Sequence, residues 1–318
     1  MMALGKNNKI VFFGSDENSA KLLAELIQAD YNIELVVTKT NKKTGRSRKQ
    51  NPVKKIAEQS NLKIAEKDRL NDLESIKIIK NTQANLAILL SYGTMIPPEI
   101  LDSFPLGIIN IHPSLLPQYR GPSPVQTTLL NGDRETGVSI MLLSKKMDAG
   151  PIIVQGKINI ELKDNHETLN NKLFSLGNRL LLGNLQKYIN QKIQVHSQDS
   201  SQATYAQMIE KKDGLIDWNN SAEEINNKIR AFYNWPGAYT YFNDKLLKII
   251  EADFTTKKTK HKISEVFLDN DKVTIQTKTG LIYPLIVQIE GKQKMDINPF
   301  INGYKNFIGT ILKSSLQK

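Results

Sequence analysis

KIVFFGSDENSAKLLAELIQADYNIELVVT, residues 9–38, sets the fold class. The apolar run IVFF stops at Gly14. Leu22, Leu23, Leu26 and Ile27 then recur at helical spacing, and IELVVT is a second strand. Strand, helix, strand is the opening of a parallel α/β sheet. The rhythm continues toward the C-terminus. Helices are expected at residues 53–59 and 70–80, with a strand at 62–65 between them. LAILLSYG, residues 86–93, is apolar in the manner of a strand buried on both faces. PPEIL opens a short helix with prolines in its first turn. GIINIHPS, residues 107–114, is a further buried strand running out into a loop. Strands at 138–144 and 151–160 and a long amphipathic helix at 166–189 close the first unit, residues 1–189.

Residues 190–208 are polar, lack periodicity and read as a linker. The character then changes. A helix at 222–232, with Ser221 as N-cap, precedes short alternating runs separated by Gly, Asn and Asp. That pattern over residues 209–318 is expected to form a small antiparallel β-barrel. The overall class is α/β, a Rossmann-like, mostly parallel open sheet followed by the barrel.

The chain has 318 residues and 40% hydrophobic content, enough for two cored domains. It has no cysteine, which excludes disulfides, a thiol nucleophile and a cysteine zinc site. No apolar run reaches membrane-spanning length, and the N-terminus lacks a signal pattern. The expectation is a soluble cytoplasmic protein with no membrane partner and no metal. Net charge is +11. Residues 209–318 carry 17 basic and 13 acidic side chains, whereas residues 39–55 carry eight basic side chains and no acid. The excess is therefore a local feature of one loop, either a solvated lysine loop or a contact for a polyanion.

Chemistry gathers around His112. His166, at a helix start, His196, in the linker, and His261, in a lysine-rich turn, read as solvated surface residues. His112 instead stands just past a buried strand, where ligands collect in open α/β sheets. Asn110, two residues earlier, shares its side of an extended chain. Pro113, Pro117, Pro122 and Pro124 stiffen the segment after the strand, Gly121 permits a close approach by a ligand, and LLP supplies an apolar wall. MDAGP, residues 147–151, sets Asp148 on a turn at a sheet end. From the residues alone, a histidine merely bonded to backbone remains the rival reading.

NIHPSLLPQYRG, followed by NGDRETGVSIM and MDAGPII, resembles the folate-dependent formyltransferases. The stretch ATYAQMIEKKDGLIDWNNSAEEINNKIRAFYNWPGAYTYF, with FFGSDENSA and Gly45-Arg46, resembles the branch whose acceptor is methionyl initiator tRNA. The sequence departs from the family's usual pattern at Ser15-Asp16, at Pro113, at MDAGP and in the shortened FYNWPG, but keeps Asn110, His112 and Asp148.

The resemblance implies an OB-like barrel and transfer of formyl from 10-formyltetrahydrofolate to the aminoacyl nitrogen, by a monomer. It implies that Asn110 stabilises charge on the formyl oxygen and that His112 takes a proton from the attacking amine. Asp148 would orient the imidazole, favour its cation or organise a bridging water. Ser114, Leu115, Leu116 and Pro117, with backbone near Leu89 and Tyr92, would line the folate pocket. Lys42, Lys43, Arg46, Arg48 and Lys49 would meet tRNA, Arg46 foremost, because guanidinium binds phosphate or stacks on a base. The alternative acceptor is a sugar nucleotide. Formyl transfer to water and non-enzymatic RNA binding are further alternatives, and the intact trio argues against the last of these.

Overall fold

The computed structural model describes residues 8–40, 43–44, 47–48 and 50–314. They form two compact units. The first takes the chain through Arg120, with Gly137–Ile158 and Asn171–Thr204; the second takes Gly121–Thr136, Asn159–Asn170 and the chain from Tyr205.

The first unit is built on a seven-stranded sheet. Its strands are β1 (Ile10–Gly14), β2 (Ile33–Thr38), β5 (Ile64–Glu66), β6 (Leu86–Leu90), β7 (Ile108–His112), β8 (Glu135–Leu142) and β9 (Ile152–Asn159), in the order β5-β2-β1-β6-β7-β8-β9. β3 (Lys43–Thr44) and β4 (Ser47–Arg48) form a separate two-stranded ladder. The five strands from β5 to β7 run parallel, and β8 is antiparallel to β7. Ile10, Val11, Phe12 and Phe13 are wholly buried, as a central strand covered on both faces requires.

Capping residues fix where the helices begin. Asp16 caps α1 (Glu17–Gln28) by accepting from the Ser19 amide at 2.8 Å. Asn51 caps α2 (Pro52–Gln59). Asp72 caps α3 (Leu73–Lys80), so that helix starts three residues later than its apolar pattern suggests. α4 (Pro98–Leu101) precedes β7, α5 (Pro124–Leu130) follows it, and α6 (His166–Ile189) has the expected span. Nothing in the sequence pattern anticipates α5.

The second unit is the antiparallel barrel. β10 (Ala238–Phe242), β11 (Lys245–Thr255), β14 (Leu281–Ile289), β13 (Lys272–Gln276) and β12 (Val266–Asp269) lie in that order, with β15 (Met295–Asp296) beside β14. Asn243-Asp244 and Asn270-Asp271 turn two hairpins with every φ between 49° and 62°, the left-handed pair that short hairpin loops need. The two edges are joined by residues 309–313. Tyr241 exchanges backbone hydrogen bonds with Lys313, and Val266 bonds to Thr310 and Gly309. That closure removes the exposed edges of the sheet. α7 (Ala222–Ala231) begins in a capping box formed by Ser221 and Glu224. Phe242, Phe300 (in α8, Ile297–Gly303) and Phe307 pack edge to face inside the barrel, with centroids 5.0–6.2 Å apart.

Candidate active site

β7 delivers the site. Its register places Asn110 between Leu89 of β6 and Met141 of β8, and His112 beside Ser139. Alternation along the strand puts both polar side chains on one face, and both are buried. Among the described residues, no hydrogen-bond partner engages the Asn110 side-chain amide, although the residue is buried.

His112 Nε2 lies 2.9 Å from the Tyr119 carbonyl. A carbonyl only accepts, so Nε2 carries a hydrogen, and in the neutral ring the lone pair falls on Nδ1. Nδ1 faces Asp148 Oδ2 at 3.8 Å, too far for a hydrogen bond but close enough for charge to be felt. The bond that orients the ring goes to the Tyr119 carbonyl, and the 3.8 Å separation suits Asp148 to its two other expected roles, favouring the cation or organising a bridging water. Burial lowers the pKa of His112, and the Asp148 charge and the Tyr119 contact oppose this in part. The resting ring is thus neutral, and a carboxylate stands ready to stabilise its cation. Both positioning residues have left-handed backbone, Tyr119 at φ 58° and Asp148 at φ 48°. Strained non-glycine positions of this kind persist only where the surroundings over-determine them.

The loop after β7 is pinned from within. Ser114 is fully buried, and its hydroxyl donates to the Gln118 carbonyl at 2.6 Å, so this side chain shapes the loop. Ser139 donates to the Ser114 carbonyl and accepts from the Leu116 amide. Gln155 donates to the Leu116 carbonyl and to Ser139. Leu89, Leu115 and Pro117 keep partly open apolar surface, whereas Leu116 is buried. Tyr92 is a core residue. Its ring packs edge-on against Phe13, and its hydroxyl donates to the Lys67 carbonyl. Its pKa is driven far up by burial.

Gly121 is needed by the fold itself. At φ 117°, a Cβ there would lie 2.5 Å from the Ala206 carbonyl oxygen. The close neighbour in the fold is the chain's own backbone.

Arg120, Gln198 and Thr204 were not anticipated. Arg120 lies within the NIHPSLLPQYRG motif but nothing there marks its partner, and Gln198 and Thr204 sit in a polar stretch whose lack of periodicity carries no signal. Ser139 and Gln155 likewise look like ordinary strand residues in the sequence. Of the other histidines, His166 is half-buried with its pKa lowered by burial, which corrects the expectation of a solvated residue. His196 is exposed and bridges Ile152 through its backbone. His261 is exposed and stacks on Phe267.

Arg46, Lys42 and Lys49 lie outside the described residues, and of Lys43 and Arg48 only the backbone of β3 and β4 is described. Two other cations of the basic segment serve the fold. Lys39 donates to the Asp68 carbonyl and lies over the Tyr92 ring, and Lys54 pairs with Glu66 and Glu58. Among the described residues, no cluster of three or more metal-ligating side chains occurs, and no helix is long and apolar enough to cross a membrane.

A family model described as formyl transferase matches residues 8–185, and one described as formyl transferase, C-terminal domain, matches residues 208–305. A methionyl-tRNA formyltransferase of Caldicellulosiruptor saccharolyticus is 37% identical over 310 residues, covering 95% of this chain and 99% of its own length. One from Thermodesulfovibrio yellowstonii is 37% identical over 298 residues, covering 93% and 96%. Among solved structures, an N-formyltransferase from Helicobacter canadensis, in complex with folinic acid and dTDP-3-aminofucose, shares the fold. Its TM-score is 0.67 at 21% identity, covering 87% of this chain and 99% of that one. This chain belongs to the formyl transferase family, among the methionyl-tRNA formyltransferases.

Proposed function

We propose that the protein transfers the formyl group of 10-formyltetrahydrofolate to the amino group of methionyl initiator tRNA. The observation that carries the mechanism is the environment of His112. It is a buried neutral imidazole with Nε2 fixed to a carbonyl and Nδ1 turned toward a carboxylate. 10-Formyltetrahydrofolate supplies an electrophilic carbonyl carbon. The Asn110 side-chain amide, buried and unengaged among the described residues, donates to the formyl oxygen as it gains negative charge. His112 Nδ1 accepts the proton that the amine loses on attack, and Asp148 stabilises the imidazolium. The tetrahedral adduct then collapses with cleavage of the bond between the formyl carbon and N10 of the folate, and the imidazolium returns its proton to that nitrogen, releasing tetrahydrofolate and neutral His112. Leu89, Leu115 and Pro117 offer the pterin an apolar wall, while Ser114 and Leu116 keep the loop in shape.

In the proposed division of labour, residues 1–189 bind folate and carry the chemistry, 190–208 link, and 209–318 bind tRNA. Lys42, Lys43, Arg46, Arg48 and Lys49 add phosphate contacts, and the protein acts as a cytoplasmic monomer. A two-acceptor assay tests the function. Methionyl-tRNA is expected to be formylated and a 4-amino-sugar nucleotide to be left unmodified; the reverse would favour a sugar-nucleotide acceptor. Replacing His112 with Ala is expected to lower turnover by about 10²–10⁴. Full turnover in that variant would remove histidine from the mechanism.

A further inference from the structure

The segment after α6 reaches back to the site. Gln198 Nε2 donates to the Asp148 carbonyl at 2.8 Å and to the Gly150 carbonyl at 2.7 Å, bracketing the turn that carries the carboxylate. Gln198 Oε1 accepts twice from Arg120, from Nε at 3.1 Å and from Nη2 at 2.7 Å. Arg120 is 3% exposed and follows Tyr119 directly. Six residues beyond Gln198, Thr204 holds the same loop. Its hydroxyl accepts from the Tyr119 amide and its carbonyl from the Arg120 amide, both at 2.9 Å. One strap, residues 198–204, therefore grips both elements that flank the imidazole: the peptide whose carbonyl holds Nε2, and the turn that presents Asp148 to Nδ1.

We propose that Gln198, bridged by Arg120, is a positioning residue that sets the separation between His112 and Asp148 and hence the readiness of the imidazole to take a proton. The inference rests on the catalytic reading of His112 and Asp148. A primary amide suits the position, because it presents two N–H donors to two carbonyls and an oxygen to a guanidinium at once. The left-handed Asp148 backbone explains the need for a clamp, since a residue in that conformation is held there by its surroundings. Asp148 is the charge whose field reaches the ring. Arg120 is the other buried charge on the loop, and β6 and β8 place the uncharged Leu89, Met141 and Ser139 beside β7.

The test compares wild type with Gln198→Ala and Gln198→Glu in formylation of methionyl-tRNA. Thermal melting and the pH profile of kcat/KM are measured beside it, with His112→Asn as control. Gln198 is only half-buried, so both variants are expected to fold. Turnover is expected to fall roughly 10- to 100-fold, the size of a small misplacement at a reacting centre. KM for both substrates should stay within about threefold, since no substrate contact is removed. The acid limb should move to lower pH as Asp148 drifts from the ring. Glutamate keeps the acceptor for Arg120 but loses both donors, so it should not rescue. A raised KM at normal turnover, rescue by glutamate, or a lower melting point with an unmoved pH profile would each overturn the proposal. A fully active His112→Asn would overturn the catalytic reading and this inference together. Indifferent Gln198 variants beside a dead His112→Asn would overturn this inference alone.

Discussion

The sheet unit and the barrel both bury polar side chains, and they complete them differently. In the barrel wall the groups satisfy one another. Trp218 Nε1 donates to Thr240 Oγ1, which in turn donates to the Lys313 carbonyl. Gln276 donates to the Thr277 carbonyl, and the Thr277 hydroxyl donates to that of Gly280. The exceptions in that unit among the described residues, Thr128 Oγ1 on α5 and Asn226 Oδ1 and Arg230 Nε on α7, sit on helices, outside the wall. At the end of β7 the pattern is inverted. The loop around the site is thoroughly bonded, while the Asn110 side-chain amide and the face of His112 toward Asp148 are left incomplete. Buried polar groups are ordinarily paired, so an incomplete pair inside a complete frame is where a ligand finishes the bonding. Thr38, Asn178 and Gln186 of the sheet unit also bury an oxygen without a partner, so what marks Asn110 and His112 is that they share one face at the end of one strand.

The largest effect that tests this contrast belongs to Asn110→Ala. Loss of one donor to a developing oxyanion lowers turnover by about 10²–10³. Because the side-chain amide has no partner among the described residues, its removal orphans no other buried group, and the melting temperature should hold. Turnover and calorimetry on one preparation check both halves. A variant that melts early and turns over normally would make Asn110 an architectural residue like Thr240.

The barrel counterpart is Gly280→Ala. Gly280 sits at φ 95°, and a Cβ there would meet the Thr255 carbonyl oxygen at 2.2 Å. The Thr255 backbone on one side and the Ala222 Cβ at 3.0 Å on the other leave no flexible end to yield, so a loss of about 1–3 kcal/mol in stability is expected. Turnover measured below the melting transition should be unchanged. Chemical denaturation against kcat separates the two. A loss of turnover at full stability would show that the barrel also shapes the reacting centre.

How much of the molecule is legible in its sequence depends on whether the signal is periodic. β1, α1, β2 and α6 can be read because burial imposes a repeat on the residues themselves, and the barrel hairpins because Asn-Asp pairs tolerate left-handed backbone. Asn110 and His112 can be found because two polar residues two apart interrupt an otherwise apolar strand. Tyr119 is hidden because its contribution is a carbonyl, which every residue has. Gln198 and Thr204 are hidden because a strap running along a folded surface has no period of its own. Gly121 is noticeable for its conformation but not for its neighbour, since close approach does not say what approaches.

The smallest effect is one of pH, and it isolates Asp148. Asn at this position is nearly isosteric and tolerates the left-handed backbone that φ 48° demands, so Asp148→Asn removes charge with little change of shape. The sign depends on the role of the imidazole. As a base, His112 works when neutral, and burial has already lowered its pKa below the ordinary histidine value of 6.5. Wild-type kcat/KM should therefore persist below that pH and fall only as the depressed pKa is crossed. The Asp148 charge opposes the effect of burial. Its removal lets burial act with less opposition, so the acid limb moves to still lower pH. The plateau falls at the same time, because the imidazolium formed during transfer has lost its counter-charge. If His112 acted instead as a cationic donor, activity would require the protonated ring and would rise toward low pH, and the same substitution would narrow that range. A pH profile of the two proteins thus distinguishes a base that Asp148 supports from an acid that Asp148 creates.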